Sequence, residues 1–155
     1  AYQDRPQPIG EDATISAPHI VAEVTELLEV EKKDKILEIG SGSGYQAAIL
    51  SHLAKEVVGM EINRELVEKS REKLKEFENV EIIHTGKLED VEGLFDRILF
   101  SCAVESFEEA EEKLRPGGVI VGPVKADGGQ VMKRFRDGEL EDFFHVRYVE
   151  FQDST

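Results

Sequence analysis

The segment Glu38-Ile39-Gly40-Ser41-Gly42-Ser43-Gly44 carries the residue types and spacing best suited to hold a ligand. Glycines at alternate positions let a chain turn sharply and bring its backbone N–H groups against a bound molecule with no Cβ in the way. An acid precedes them, and a second acid, Glu61, closes the next short apolar run. Two carboxylates so placed suit a ligand with a free amino group and an unmodified ribose. Glu61 can accept hydrogen bonds from both ribose hydroxyls, and Glu38 can help bind a cationic amino end, directly or through the loop.

S-adenosylmethionine has both features and is the cofactor this pattern predicts. A nicotinamide dinucleotide has the ribose but not the amino group, and an acid beside the glycines repels its pyrophosphate. The dinucleotide fingerprint G-x-G-x-x-G also needs a third glycine for close helix packing, and that position is Tyr45. Gly40, Ser41, Gly42 and Gly44, with Glu38, Glu61 and the adjoining Ile62, are the candidate cofactor residues of this part of the chain.

Such a loop works at the mouth of a sheet, and the flanking sequence predicts one. Short apolar runs alternate with longer amphipathic segments, the pattern of a parallel sheet with crossover helices. Strands are expected at Ile36 to Ile39, Glu56 to Met60, Val80 to Ile83, Arg97 to Ser101 and Val119 to Val124. Helices are expected from Pro18 to near Val30, Tyr45 to Leu53, Arg64 to Phe77 and about Ser106 to Leu114, with Ser16 a candidate cap for the first. Pro116-Gly117-Gly118 reads as a turn, and Tyr2 to Ala17 as a Pro- and Gly-rich loop. Gln130 to Arg136 and Phe143 to Phe151 read as an antiparallel pair around Asp137-Gly138. The fold class expected is a doubly wound, Rossmann-like α/β sheet, mostly parallel, closed by a C-terminal antiparallel hairpin. Ligands on such sheets bind beyond the carboxyl ends of the strands at the switch point, where the glycine loop falls.

The chain has 155 residues, enough for one core, so a single domain over 1–155 is expected, with 1–17 as an arm. The net charge of −14 repels polyanions and points away from nucleic acids and anionic membranes as partners. Two small basic groups, Lys32, Lys33 and Lys35, and Lys133, Arg134 and Arg136, read as solvated charge at element ends. The one cysteine, Cys102, forms no internal disulfide, and no Cys/His cluster has metal-ligand spacing, so no metal is expected. With no membrane-length apolar run and no signal segment, the expectation is a cytoplasmic monomer. The absence of an initiator methionine makes Ala1-Tyr2-Gln3-Asp4 read as mid-chain sequence, which predicts a segment upstream.

Ala1-Tyr2-Gln3-Asp4-Arg5-Pro6, then Pro8-Ile9-Gly10, then Ala13-Thr14-Ile15-Ser16-Ala17-Pro18-His19 are stretches that methyltransferases in general do not share. With them the chain resembles the protein-L-isoaspartate O-methyltransferase family of class I S-adenosylmethionine-dependent enzymes. The resemblance continues through Leu37 to Ala48, more loosely through the helix after Glu61, and again at Leu114 to Val124. It implies transfer of a methyl group to the α-carboxylate of an L-isoaspartyl residue in a damaged protein. The ester then closes to a succinimide, which reopens partly to normal aspartate, a repair reaction whose partners are isoaspartyl peptides and proteins. It further implies that Thr14 to His19 line the pocket between cofactor and peptide. Thr14 and Ile15 then lie at the cofactor, His19 at the substrate, and Ser16 supplies the catalytic or orienting hydroxyl. The arm from Tyr2 to Gly10 covers the substrate, through Tyr2, Asp4, Pro8 and Ile9.

The chain departs from the family pattern in two places. After the third strand the family carries Gly-Asp-Gly, with the Asp near the adenine amino group, where this chain has His84-Thr85-Gly86-Lys87. Gly86 and Lys87 take that position, and Glu89 or Asp90 is the candidate replacement acid. After the fourth strand the family has small residues and a proline that shape the peptide pocket. Here the run is Ser101-Cys102-Ala103-Val104-Glu105, with Cys102 and Ala103 the expected substrate contacts. The alternatives to isoaspartyl methylation are a related methyltransferase with another acceptor, and a protein that binds S-adenosylmethionine without turning it over.

Overall fold

The computed structural model describes residues 7–8, 14–15 and 17–151. The expectations at Tyr2, Asp4, Ile9 and Ser16 lie outside the described residues. Within the arm, strands β1 (Gln7–Pro8) and β2 (Thr14–Ile15) pair antiparallel, where a loop was expected.

Helix α1 (Pro18–Leu28) begins on Pro18, whose missing N–H costs nothing in a first turn. It buries Val21, Val24 and Leu28. Its end is fixed by Arg97, which donates to the carbonyl oxygens of Leu28 at 2.6 Å and Glu29 at 2.9 Å and lies 3.6 Å from Asp34. These carbonyls have no partner inside the helix, so a buried guanidinium satisfies them and ties α1 to the sheet.

The sheet elements follow in order: β3 (Lys35–Ile39), α2 (Tyr45–Ser51), β4 (Glu56–Glu61), α3 (Arg64–Lys73), β5 (Val80–His84), β6 (Phe95–Phe100), α4 (Glu108–Glu111), β7 (Leu114–Ala126), β8 (Gly129–Arg136) and β9 (Glu139–Val146). Their order across the sheet is β5-β4-β3-β6-β7-β8-β9. The first five of these strands are parallel, and β8 and β9 run antiparallel. From β3 the chain winds outward through β4 and β5, then returns to place β6 on the other side of β3. The gap between β3 and β6 is therefore the switch point.

Successive residues of β3 face opposite layers. Leu37 and Ile39 pack with Met60, Ile98 and Phe100 beneath α4, while Ile36 packs with Val57, Leu99 and residues of α1 to α3. Each fully buried side chain of this size contributes roughly 1.5–3 kcal/mol relative to exposure, so the two cores hold the central strands firmly. No helix among the described residues is long and apolar enough to cross a membrane.

Three expectations need correction. Pro116-Gly117-Gly118 is no turn but lies inside β7, and pairing with β6 shifts register between Phe95 and Arg97. A Cβ on Gly118 would lie 2.8 Å from the Asp96 carbonyl oxygen, so glycine is what lets the strands approach. The helix expected from Ser106 to Leu114 is one short turn, Glu108–Glu111, because β7 already starts at Leu114. The last strand is Glu139–Val146, set by the Asp137-Gly138 turn, and the chain beyond it leaves β8.

Candidate active site

A cleft of about 510 Å³ opens beyond the carboxyl ends of β3, β4 and β6. Its floor is the start of the glycine loop, with Ile39, Gly40 and Gly42. Gly40 N–H and Ser41 N–H both donate to the Met60 carbonyl oxygen, at 2.8 and 2.9 Å, which fastens the loop to the end of β4. Gly40 has φ +84°, and a Cβ there would lie 3.2 Å from Cys102 Sγ. Gly42 has φ +55°, yet a Cβ there would meet nothing within 4 Å among the described residues. Gly40 is thus closed in by protein, while Gly42 borders the open space a ligand would use.

Glu61, only 8% exposed, is the buried charged group of the cleft. One carboxylate oxygen accepts the Gly42 N–H at 2.7 Å and the other the Asn63 N–H at 2.9 Å. Asn63 in turn caps α3 by accepting the Leu66 N–H at 3.1 Å. A carboxylate has about four lone-pair sites, so Glu61 can hold the loop and the helix start and still accept from two hydroxyls. Ile62 and Leu66 give the adjoining wall an apolar surface.

Glu38 does not line the cleft; it lies behind the floor, 1% exposed. One carboxyl oxygen accepts the Ser101 hydroxyl at 2.6 Å and the other has no partner among the described residues. Burial pushes its pKa up to about 8, the Ser101 bond opposing and the nearby Glu61 charge adding to the rise. Ser41, also behind the floor, has a buried hydroxyl with no partner among the described residues. Cys102 lines the cleft, but burial, together with Glu61 and Glu38, pushes its thiol up to about 12, which leaves it un-ionised and unreactive at neutral pH.

The loop after β5 brings Thr85 and Gly86 to the cleft and leaves Lys87 off it. The Thr85 hydroxyl donates to Asp90 and accepts the Lys87 N–H at 3.0 Å. Asp90 is therefore engaged in shaping this loop, and Glu89 is exposed. His19 borders a different, larger groove of about 890 Å³ between α1 and α2, with Tyr45 and Leu53. That groove contains none of Glu61, Gly42 or Cys102, so its size does not make it the reactive site.

The remaining wall was not anticipated. After β9 the chain crosses back, and Tyr148 to Phe151 close the cleft opposite Glu61. Ala103 donates its N–H to the Val149 carbonyl oxygen at 2.7 Å, and Phe151 donates its N–H to the Ala103 carbonyl oxygen at 2.8 Å. Gln130 fixes the departure by bonding both backbone groups of Tyr148, and Lys125 bridges Glu105 and Glu150. Phe151 packs against the core beneath. An apolar run following a strand gives no sign that it abandons its neighbour for a loop far away in sequence, so no local signal marked these residues.

The family model described as protein-L-isoaspartate(D-aspartate) O-methyltransferase matches residues 1–155. A relative from Anaeromyxobacter dehalogenans, named protein-L-isoaspartate O-methyltransferase, is 41% identical over 96% of this chain and 77% of its own length. One of the same name from Trichlorobacter lovleyi is 43% identical over 90% of this chain and 68% of its own. Among solved structures, a putative protein-L-isoaspartate O-methyltransferase from Plasmodium falciparum, in complex with S-adenosyl-L-homocysteine, superposes with a TM-score of 0.84 at 28% identity, over 99% of this chain and 82% of that one.

Proposed function

This chain belongs to the protein-L-isoaspartate O-methyltransferase family, and from that membership we propose that its cleft presents S-adenosylmethionine to the carboxylate of an L-isoaspartyl residue in a damaged protein. The observation that carries this reading is the pairing of Glu61 with the Gly42 N–H at the switch point. It leaves a buried acid and a side-chain-free loop edge facing one cavity. When bound, S-adenosylmethionine supplies a methyl group already activated on a sulfonium.

This chain's residues therefore position more than they activate. An isoaspartyl α-carboxylate has a pKa near 3.5 and is ionised at neutral pH, so no general base is needed. Glu61 would take the ribose hydroxyls, Gly40 and Gly42 the backbone approach, and Ile62 with Leu66 the adenine face. Thr85 and Gly86 border the same space, and Thr14 and Ile15 are assigned beside it by the family resemblance. On the opposite wall, Cys102 and the Tyr148–Phe151 strap shape the space we assign to the acceptor peptide, with Ala103 anchoring the strap. Ser16 orients the attacking carboxylate by hydrogen bonding, and residues 1–17 act as a cover over a single methyltransferase domain. A reducing, cytoplasmic setting and a monomer fit the lone buried Cys102.

The test is incubation of the chain and S-adenosylmethionine with an isoaspartyl peptide and with its normal aspartyl counterpart. Methyl ester should form on the first alone. Tight donor binding without ester on either peptide would move the assignment to another acceptor. Ser16→Ala should lower kcat by roughly 10- to 1000-fold with donor affinity held within a few-fold.

A further inference from the structure

Two buried polar atoms beside the glycine loop have no partner among the described residues: one carboxyl oxygen of Glu38 and the Ser41 hydroxyl. Buried polar groups in native proteins are almost always satisfied, and an exception calls for a physical reason such as a chemical role or a bound group that completes the bonding. The Glu38 carboxyl is held by a single hydrogen bond, from Ser101, and Ser101 itself lines the cleft. The charged side chain acting on Glu38 is another acid, Glu61 at the end of the adjacent strand β4, and the titratable Cys102 on the far side adds no positive charge. A buried carboxylate that receives a single hydrogen bond among the described residues, with another acid as its charged neighbour, is costly, so the group takes a proton instead.

We propose that Glu38 exchanges a proton for the cationic amino end of the methyl donor, and that Ser101 is the positioning residue that makes the exchange workable. In the empty cleft Glu38 is a neutral acid. When the ammonium group arrives at the loop, its charge acts on a carboxyl that is 1% exposed, where the effective dielectric is low. The O–H bond of Glu38 breaks, the proton passes to solvent, and the carboxylate left behind faces the ligand's charge. The Ser101 hydroxyl, already donating at 2.6 Å, stabilises that anion and keeps the carboxyl turned the right way. The elevated carboxyl pKa of about 8 agrees with this. The inference rests on the cleft being the methyl-donor site and adds that donor binding is linked to pH.

Calorimetric titration of the wild-type chain with S-adenosyl-L-homocysteine, which carries the same amino group, tests it without turnover. In two buffers of different ionisation enthalpy at pH 7, the heats should differ by the release of about one proton per site. Between pH 5.5 and 7, below the titration of the ligand's own amino group, Kd should fall about tenfold per pH unit. Glu38→Gln should flatten that line and abolish the proton release. Ser101→Ala should keep the slope but weaken binding by roughly 10- to 100-fold, the value of a hydrogen bond to a charged group. Tight binding with no proton release and a pH-independent Kd overturns the inference while leaving the methyl-donor reading intact. Failure of the wild-type chain to bind S-adenosyl-L-homocysteine at any pH overturns both. The wild-type measurements decide the question even if a variant does not fold.

Discussion

The two sides of the cleft are built by different means. On the glycine side, Gly40, Ser41, Gly42, Met60, Glu61 and Asn63 hold one another through backbone bonds and a buried carboxylate that bonds backbone, all between residues 40 and 63 of the sequence. On the other side, the Tyr148–Phe151 strap reaches Ala103 through two backbone bonds and an ion-pair bridge at Lys125 whose partners are largely exposed. A wall that must match one invariant donor gains from rigid, short-range construction. If the strap faces isoaspartyl residues in many sequence contexts, as proposed above, it can be held more loosely, and exposed ion pairs contribute only about 0–1 kcal/mol each.

Gly42→Val should break the contrast most severely. It forces a β-branched residue to φ +55° and fills the open edge of the loop. S-adenosyl-L-homocysteine affinity should fall at least about 100-fold, equivalent to some 3 kcal/mol, while circular dichroism still reports a folded chain. Retained affinity in that variant would remove the loop from the site.

Glu61→Ala comes next, with an expected loss of about 1–3 kcal/mol in donor binding as ribose hydroxyls lose a charged acceptor. The same change should loosen the loop, because Gly42 N–H and Asn63 N–H lose their partner. Hydrogen exchange at Gly42 and Asn63 would report it.

Glu38→Gln should act on stability with a sign opposite to most carboxylate substitutions. Its folded pKa of about 8 lies above the ordinary 4.5, so the folded chain binds the proton more tightly than the unfolded chain. Stability from this group is present below pH 4.5 and drains away as pH rises to 8. The variant should therefore gain on the ligand-free wild type as pH is raised, and Tm measured at pH 5 and at pH 8.5 should show the gap widening. A constant gap would mean that Glu38 is ionised throughout.

The smallest effect should come from the strap. Lys125→Met removes the bridge between Glu105 and Glu150, leaving two acids at the acceptor side. KM for an anionic isoaspartyl peptide should rise a few-fold at low ionic strength and recover with added salt, since the groups are exposed and screened. Donor Kd and kcat should hold. An equal change in donor Kd would show that the two walls are not independent.

The glycine half was legible because its signals are local. Alternating apolar runs located β3 to β6 within one or two residues, and the acid–glycine–acid spacing located the loop and Glu61. What sequence spacing did not reveal is three-dimensional contact. Gly59 is a glycine because a Cβ there would stand 2.9 Å from Ser41 Cβ and 2.8 Å from Ile82 Cδ1, a demand made by a loop and a neighbouring strand. Ser101 reads as a strand end until Glu38 is seen to accept its hydroxyl. The proline and glycines at 116 to 118 signal a turn, but the segment stays within β7 as an irregularity, because β6 pairs with Leu114 before it and Val119 after it. His19 belongs to the family's recognised stretch, yet its side chain borders the other groove.

The strap's partner choice also sets an order of assembly. Every element that shapes the donor floor, including the β6 strand that brings Ser101, is contained within the first two thirds of the sequence, whereas the opposing wall needs residues 148 to 151 to find Ala103. Chains emerge from the ribosome N-terminus first and close long loops late. A nascent chain can therefore form its donor half while the acceptor half is still open, and the cleft becomes a two-walled enclosure only as the last strand pairs and the tail doubles back. Truncation a few residues before Tyr148 should leave a molecule that binds the donor but lacks the strap wall of the cleft.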